Sequence, residues 1–224
     1  IDALGGKMSK TADKTYLQMK MLNTAKGPGV QSLRAQADKQ AYPRYMRKVL
    51  QQQENLDIIE GMVEDLIIED NCAKGVILAD GQEIKGTIVI LTTGTYLKSE
   101  ILCGDQKYSS GPDEEKESKF LSDRLKALGL RIQRLKTGTP PRVEINSIDY
   151  SKTSLQPGTG DKLAFSYQTD EFVPLKQQLP CYLTYTNEKT HQIICDNLER
   201  SSMYGGYVSG VGPRYCPSIE DKVV

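Results

Sequence analysis

The stretch VEDLIIEDNCAKGVILADGQEIKGTIVILTTGT, residues 63–95, decides the fold, because its apolar residues follow the period of a β-sheet. It predicts a three-stranded antiparallel meander, with strands at 63–69, at 75–79 and from residue 83 onward and a turn at Asp80-Gly81. The β-branched and aliphatic run 87–91 predicts a further strand, buried on both faces of a mainly parallel sheet. Gly94 ends this run and leaves room for a ligand at that edge, although an ordinary strand-ending turn explains the glycine equally well.

On either side of this stretch, apolar residues recur at the spacing of an amphipathic helix and predict helices. Together with the strands they indicate a mixed α/β chain. Two short apolar runs predict additional strands at 56–60 and 181–184. The apolar residues of the last predicted helix, Ile193, Ile194 and Leu198, are expected to point inward. The predicted helices are 34–53, 118–128 with Gly129 as its stop, and 191–198.

The composition excludes several protein classes. Twenty-nine basic residues balance 29 acidic ones, so no overall charge indicates a nucleic-acid partner. No apolar run approaches the ~18 residues of a membrane span, and five cysteines without a CxxC pair favour free thiols in a reducing cytoplasm. With one histidine, no metal site is expected. No signal peptide is expected from the first residues, and both ends look like cuts through a longer protein.

Two loops are candidate sites. Four cations surround the turn Thr-Gly-Thr-Pro-Pro at 137–141 and predict an anion-binding site, with a solvated strand edge as the alternative. They are Arg131, Arg134, Lys136 and Arg142. In the second loop, YVSGVGPRYCPSIED at 207–221, glycines and prolines shape the backbone around Cys216, and Arg214 favours its thiolate. A buried structural cysteine in a tight turn is the alternative.

The order of elements resembles the middle of flavoproteins with two dinucleotide-binding domains, of the glutathione-reductase type. No GxGxxG occurs in the 224 residues, so the phosphate-binding strand is expected upstream of Ile1. More specifically, five motifs in order resemble the GidA/MnmG family of flavin-dependent tRNA wobble-uridine modification enzymes. They are KGPGVQSLRAQAD (26–38), LTTGTYL (91–97), RLKTGTPPR (134–142), PCYLTYTNEKTH (180–191) and GVGPRYCPSIEDK (210–222).

This resemblance implies an FAD enzyme that adds an aminomethyl or carboxymethylaminomethyl group to the 5-carbon of the wobble uridine. It implies methylenetetrahydrofolate and NADH as cosubstrates, the GTPase MnmE as partner, a homodimer, tRNA as substrate and a cytoplasmic location. Cys216 would be the nucleophile that adds to the uracil ring. The implied cofactor contacts, with Gly94 added from strand-end geometry, are Val63, Gly94, Ser118, Gly212, Pro213, Arg214 and Tyr215. At 110–115 this chain is acidic where the family has a Gly-Gly-Arg type sequence.

The predicted fold class is therefore a partial FAD/NAD(P)-binding Rossmann domain with an antiparallel meander and an inserted smaller α/β domain. Residues 1–112 and 201–224 are assigned to the FAD-binding domain, and residues 113–200 to the insertion. Two other functions stay open: a folate- and FAD-dependent tRNA uridine methyltransferase relative, and a non-catalytic tRNA-docking or dimerisation fragment. GPRYCPSIEDK argues against the methyltransferase.

Overall fold

The computed structural model describes residues 1–207 and 217–224. Their contacts divide the chain into two compact units. Unit 1 comprises Ile1–Ile58 and Val143–Tyr185, and unit 2 comprises Ile59–Arg142 and Thr186–Val224. The predicted boundaries after residues 112 and 200 both fall inside unit 2, so the units divide the chain differently from the predicted domains. The assignment of a flavin-binding domain and an insertion stays a prediction.

Unit 1 contains two helices and two antiparallel strand pairs. Its elements are α1 (Met8–Thr15), β1 (Tyr16–Leu22), β2 (Ser32–Ala37), α2 (Ala41–Gln51), β8 (Ser154–Gln156) and β9 (Cys181–Leu183), with β1 paired to β2 and β8 to β9. Met19 is the best buried apolar side chain of this unit, at 1% exposure.

Asp13 holds the irregular segment between β8 and β9 against α1. Its carboxylate is 4% exposed and accepts hydrogen bonds from the Phe165 and Ser166 N–H groups at 2.9 Å and from Thr169 Oγ1 at 2.6 Å. Because a buried charge is costly without donors, these three bonds explain how an aspartate can sit in the interior. Gln178, also buried, accepts from the Met19 N–H at 3.1 Å and extends the same attachment.

Unit 2 is built on the predicted meander. Its elements are β3 (Val63–Glu69), β4 (Cys72–Leu78), β5 (Glu83–Lys85), β6 (Glu100–Cys103), β7 (Gln106–Ser109), α3 (Leu121–Ala127), α4 (Glu188–Cys195) and α5 (Ile219–Val223). The sheet order β3-β4-β5 confirms the antiparallel meander, and β6 pairs with β7. Leu66 of β3 packs against Leu121 and Leu125 of α3, so the helix covers one face of the meander.

The predicted strand at 87–91 is wrong. The described chain has no strand there, and Ile88 and Ile90 are 79% and 80% exposed. Only Val89 of this run packs against the core of Leu66 and Leu121. A strand buried on both faces needs a hydrogen-bonded neighbour on each side, and the described residues pair no strand with this run.

Three smaller predictions are corrected. The helix predicted from Arg34 begins at Ala41, because residues 32–37 pair with β1 and Asp38 Oδ1 accepts from the Ala41 N–H at 2.7 Å. Residues 56–60 form no strand. Ile193 is 55% exposed rather than inward. The predicted strand at Cys181 is confirmed, and the helix predicted at 191–198 lies instead at Glu188–Cys195, with Asn187 as N-cap. The fold class, mixed α/β with antiparallel sheets, is confirmed.

Candidate functional site

Val63 and Ser118, the two residues that the family resemblance assigned to FAD, are joined by a hydrogen bond. Ser118 Oγ donates to the Val63 carbonyl oxygen at 3.1 Å. Val63 begins β3, and Ser118 lies three residues before α3 with only 6% exposure. The packing of α3 on the meander thus brings together two positions that are 55 residues apart in the sequence.

The turn that contains Gly94 runs alongside Ser118. The Ser118 N–H donates to the Tyr96 carbonyl oxygen at 3.0 Å, and the Lys98 N–H donates to the Ser118 carbonyl oxygen at 2.7 Å. These bonds form a parallel bridge between Leu97 and Ser118. Gly94 has φ +56, and a Cβ placed on it would meet only the Tyr96 ring, at 3.7 Å. Hydrogen bonds therefore join Val63 and Ser118 to the segment 96–98 that follows Gly94, and a Cβ on Gly94 would have open space around it.

Tyr96 ties the acidic loop to this turn. Its hydroxyl donates to Glu115 Oε2 at 2.5 Å, and this bond to a carboxylate raises the pKa of Tyr96 above its ordinary value. A Cβ on Gly111 would lie 2.9 Å from the Tyr96 ring, so the loop approaches the ring closely because residue 111 is a glycine. The segment in which this chain departs from the family pattern is consequently packed against Tyr96, two residues after Gly94.

Arg134 reaches the same turn from the predicted anion-binding segment. Its Nη1 donates to the Lys98 carbonyl oxygen at 2.6 Å, and its Nη2 lies 3.7 Å from Glu100 Oε2. Lys98 in turn pairs with Asp123 of α3 at 2.9 Å. Ion pairs at the surface contribute little stability, and the contacts with Lys98 and Glu100 mainly hold the Arg134 guanidinium beside this turn.

Lys136 lies in different surroundings, near α5. Its Nζ is 3.5 Å from Met203 Sδ. Its charge also contributes to holding the pKa of Asp221 below its ordinary value, after the larger effects of the Ser218 N–H and the Tyr204 hydroxyl. Lys136 and Arg134 therefore have different partners although they are two residues apart.

Residues 201–204 anchor α5 through both of its carboxylates. Ser201 Oγ donates to Glu220 Oε1 at 2.6 Å, and the Tyr204 hydroxyl donates to Asp221 Oδ1 at 2.8 Å. Ser218 and Asp221 also form a reciprocal capping box at the start of the helix. The Ser201 bond is the largest cause of the lowered pKa of Glu220. The carboxyl-terminal end of the predicted loop at 207–221 is thus held in place.

The remaining predicted site residues do not join these arrangements. Arg131 and Arg142 are exposed, and neither makes a hydrogen bond or an ion pair within residues 1–207 and 217–224. The four predicted cations therefore do not share a partner. The predictions for Gly212, Pro213, Arg214, Tyr215 and Cys216 fall outside the described residues.

A cavity of about 570 Å³ lies in unit 2, and Ser201 and Glu220 are among the residues that line it. Its wall combines the apolar side chains of Ile193, Ile194 and Ile219 with the polar side chains of Asp105, Asn197 and Glu220. Tyr207, Ile219 and Glu220 of the predicted loop at 207–221 also line it, whereas the predicted FAD contacts and the four predicted cations do not. The anchored carboxylate of Glu220 makes one edge of this cavity acidic.

The described part of the chain contains no second candidate site for cysteine or metal chemistry. Cys72, Cys103, Cys181 and Cys195 are free and exposed. Across residues 1–207 and 217–224, no three His, Cys, Asp or Glu side chains are grouped as metal ligands. A search of the same residues finds no helix with the length and apolarity needed to cross a membrane.

Comparison with known proteins decides the family. The family model described as "Glucose inhibited division protein A" matches residues 1–224. The chain belongs to this GidA family. The resemblance drawn from the five sequence motifs is therefore confirmed.

Similar proteins place this GidA-family chain within longer relatives. It is 57% identical over 224 residues to the tRNA uridine 5-carboxymethylaminomethyl modification enzyme MnmG of Geobacillus kaustophilus and 54% identical to that of Bacillus mycoides. Each match covers the whole of this chain, which spans only 35% of the relative's length. Two crystal forms of Aquifex aeolicus GidA superpose with TM-scores of 0.88 and 0.86 at 46% and 44% identity. They cover 99% and 100% of this chain, which spans 38% and 36% of theirs.

In this GidA-family chain, two of the motifs meet in space. Arg134, the first residue of RLKTGTPPR, donates to the carbonyl of Lys98, which directly follows LTTGTYL. Sequence reasoning missed the residues that hold the site: Tyr96, which lies inside LTTGTYL, and Ser201 and Tyr204. The pattern Ser218-x-x-Asp221 is a capping signal that could have revealed the start of α5.

Proposed function

We propose that this chain is part of an enzyme that adds a carboxymethylaminomethyl group to the 5-carbon of the wobble uridine in tRNA. The observation that carries the proposal is the match of the whole chain to the GidA family, together with relatives named as tRNA uridine modification enzymes. Because the chain spans 35% of those relatives, the activity belongs to the longer protein. The proposed partners are tRNA, the GTPase MnmE and a second copy of the protein, and the predicted cytoplasmic location stays a prediction.

The described residues fit an FAD contact at Val63, Gly94 and Ser118. Ser118 holds the Val63 carbonyl at 3.1 Å, which fixes the backbone where the chain enters the meander. Gly94 has a left-handed backbone conformation, and because it carries no side chain, the space beside it is open. These neutral backbone groups and one small hydroxyl suit the uncharged adenine end of the cofactor. When bound, FAD would supply the redox chemistry that the resemblance couples to NADH and methylenetetrahydrofolate.

Two further groups of residues are assigned by the resemblance. The NADH contact is proposed for residues 212–224, which include Gly212, Pro213, Arg214 and Tyr215. The anchoring of α5 by Ser201 and Tyr204 supports a fixed end for this segment. The cations Arg131, Arg134, Lys136 and Arg142 are proposed to bind phosphate groups of tRNA, with Arg131 and Arg142 the most available because they are exposed and unpaired within the described residues.

Cys216 is proposed as the nucleophile that adds to the uracil ring. A thiolate both attacks and leaves readily, and its addition raises the electron density at the 5-carbon, where the new group is attached. Arg214, two residues earlier, would favour the thiolate. GPRYCPSIEDK continues to argue against the methyltransferase alternative.

The test is product analysis in a bacterium that lacks its own GidA. The protein containing this chain is expressed there, and nucleosides from its tRNA are separated by mass spectrometry. We expect 5-carboxymethylaminomethyluridine from the unmodified protein and none from Cys216→Ser. Cys195→Ser is the matched control, because Cys195 is a free, exposed cysteine in the same unit. Full product from Cys216→Ser would exclude the nucleophile, and 5-methyluridine as the product would favour the methyltransferase.

A further inference from the structure

Unit 1 contains a basic segment of its own, whereas the candidate site lies in unit 2. Residues 16–53 contain seven Lys or Arg residues and one Asp, although the whole chain has 29 of each sign. The antiparallel hairpin of β1 and β2, residues 16–37, contains Lys20, Lys26 and Arg34 and no Asp or Glu. Such a separation of charge favours an anionic partner at this hairpin.

The register of the hairpin places two of these cations directly opposite each other. Lys20 of β1 pairs with Arg34 of β2. Like charges in directly opposed positions destabilise a strand pair, so this arrangement opposes the stability of the hairpin. Each of the two cations donates a hydrogen bond to a side-chain amide oxygen. Gln156 Oε1 accepts from Lys20 at 3.1 Å, and Gln36 Oε1 accepts from Arg34 at 3.3 Å.

These amides orient the two side chains without neutralising them. Within residues 1–207 and 217–224, no carboxylate forms an ion pair with Lys20 or Arg34. A bound anion would relieve the repulsion between the two cations. The hairpin is therefore already arranged to bind negative charge.

The tip of the hairpin adds a third cation on an ordered turn. The Lys26 N–H donates to the Asn23 carbonyl oxygen at 2.9 Å, and Asn23 Nδ2 donates to the Val30 carbonyl oxygen at 2.9 Å. A Cβ placed on Gly27 or Gly29 would meet nothing within 4 Å. The backbone at the tip is thus held in place and open to close approach by a large ligand.

We propose that the β1–β2 hairpin binds the phosphate backbone of tRNA through Lys20, Lys26 and Arg34. This inference rests on the proposed function, which supplies tRNA as the occupant. Three cations spread along a ribbon suit the regular charges of a nucleic-acid backbone better than the scattered carboxylates of a protein surface. Tyr16, the hairpin's single aromatic residue, is buried, so base stacking is absent and binding is independent of sequence.

The test measures binding of a labelled tRNA transcript to the 224-residue chain by fluorescence anisotropy, from about 50 to about 300 mM NaCl. The test variant is Lys20→Gln with Arg34→Gln. The matched control is Lys162→Gln with Lys176→Gln, which removes the same charge from two exposed lysines of unit 1. Thermal melts and circular dichroism check that both variants fold.

We expect the test variant to bind about tenfold more weakly and to lose roughly 1 to 2 units of salt slope, while the control stays within about twofold of the parent. A scrambled RNA of the same length should bind equally well. Equal losses in the two variants, an unchanged slope, or no binding by the parent chain at low salt would each overturn the proposal. The proposed function is judged separately by the nucleoside product, so either proposal can fail alone.

Discussion

Replacing Ser118 by alanine tests whether the link between β3 and the segment before α3 holds the candidate site together. Ser118 is 6% exposed, and the change removes its hydroxyl, which donates to the Val63 carbonyl oxygen at 3.1 Å. A net hydrogen bond contributes about 1 kcal/mol, and leaving the half-buried Val63 carbonyl without a partner adds to that cost. We therefore expect Ser118→Ala to lower the free energy of unfolding of unit 2 by about 1 to 2 kcal/mol.

Ser122→Ala is the matched control. Ser122 is a serine of similar burial, 7% exposed, in α3, and its hydroxyl has no partner among the described residues. Alanine is a better helix former by about 0.5 kcal/mol, and no hydrogen bond is lost. The same chemical change is therefore expected to be neutral or to stabilise unit 2 by about 0.5 to 1.5 kcal/mol.

Urea unfolding monitored by hydrogen exchange distinguishes the two results, because exchange in β3 and α3 reports on unit 2 alone. Ser118→Ala should speed exchange in both elements, and Ser122→Ala should not. FAD titration of the folded variants then reports on the proposed contact. If the two variants had equal stability, the hydrogen bond between Ser118 and Val63 would not contribute as inferred.

The other predictions concern three separate contacts. Asp13→Asn should destabilise unit 1 by about 2 to 4 kcal/mol, since an amide cannot accept from all three donors, and hydrogen exchange in residues 160–175 would detect it. Gly75→Ala should cost about 2 to 4 kcal/mol in urea unfolding, because the new Cβ would lie 2.2 Å from the Ile84 carbonyl oxygen at φ +152. Tyr96 should ionise at higher pH than ordinary tyrosine in an absorbance titration compared with Tyr96→Phe. Because its pKa is raised by the bond to Glu115, the stability from that bond is fully present below the ordinary tyrosine pKa and is lost as the pH rises through the raised value.

Each of these predictions has its own control. Asp161→Asn alters an exposed carboxylate that accepts from Thr159 Oγ1, and it should leave unit 1 nearly unchanged. Gly138→Ala adds a methyl group where nothing lies within 4 Å, and it should be close to neutral. Glu115→Gln should bring the Tyr96 titration back toward the ordinary value. An ordinary pKa for Tyr96 would contradict its bond to Glu115. A loss of unfolding free energy in Asp13→Asn or Gly75→Ala no larger than that in its control would contradict the contacts described for that residue.

The sequence predicted local sheet structure well and long-range pairing poorly. Strand β3 was predicted at its observed bounds because its partner β4 follows directly, so one hairpin contains both. The run 87–91 failed because periodicity reports the apolar character of side chains and not the strands that could pair with them. The helix expected from Arg34 failed at its start for the same reason, since the pairing of residues 32–37 with β1 depends on another segment.

The site was predictable only where family motifs mark it. The resemblance selected Val63 and Ser118, and the fold supplied the bond between them. The role of Tyr96 depends on a contact with Glu115, 19 residues away, which no local pattern indicates. The four cations looked like one anion site in the sequence because they are close in the chain, but their partners in the structure differ. The predictions for Cys216 and its neighbours stay predictions.

The discontinuous build of unit 1 has a consequence for synthesis on the ribosome. Asp13 bonds to Phe165, 152 residues later, so the first part of the unit cannot close until the second part has been made. At roughly 5 to 20 residues per second, that delay is on the order of ten seconds or more. During this interval Tyr16 and Met19 lack the hydrogen bonds that Val173 and Thr159 donate to them, so these two residues are less well buried in the nascent chain. Rare codons placed between the two segments should therefore lower the yield of folded protein more than the same codons placed after residue 185.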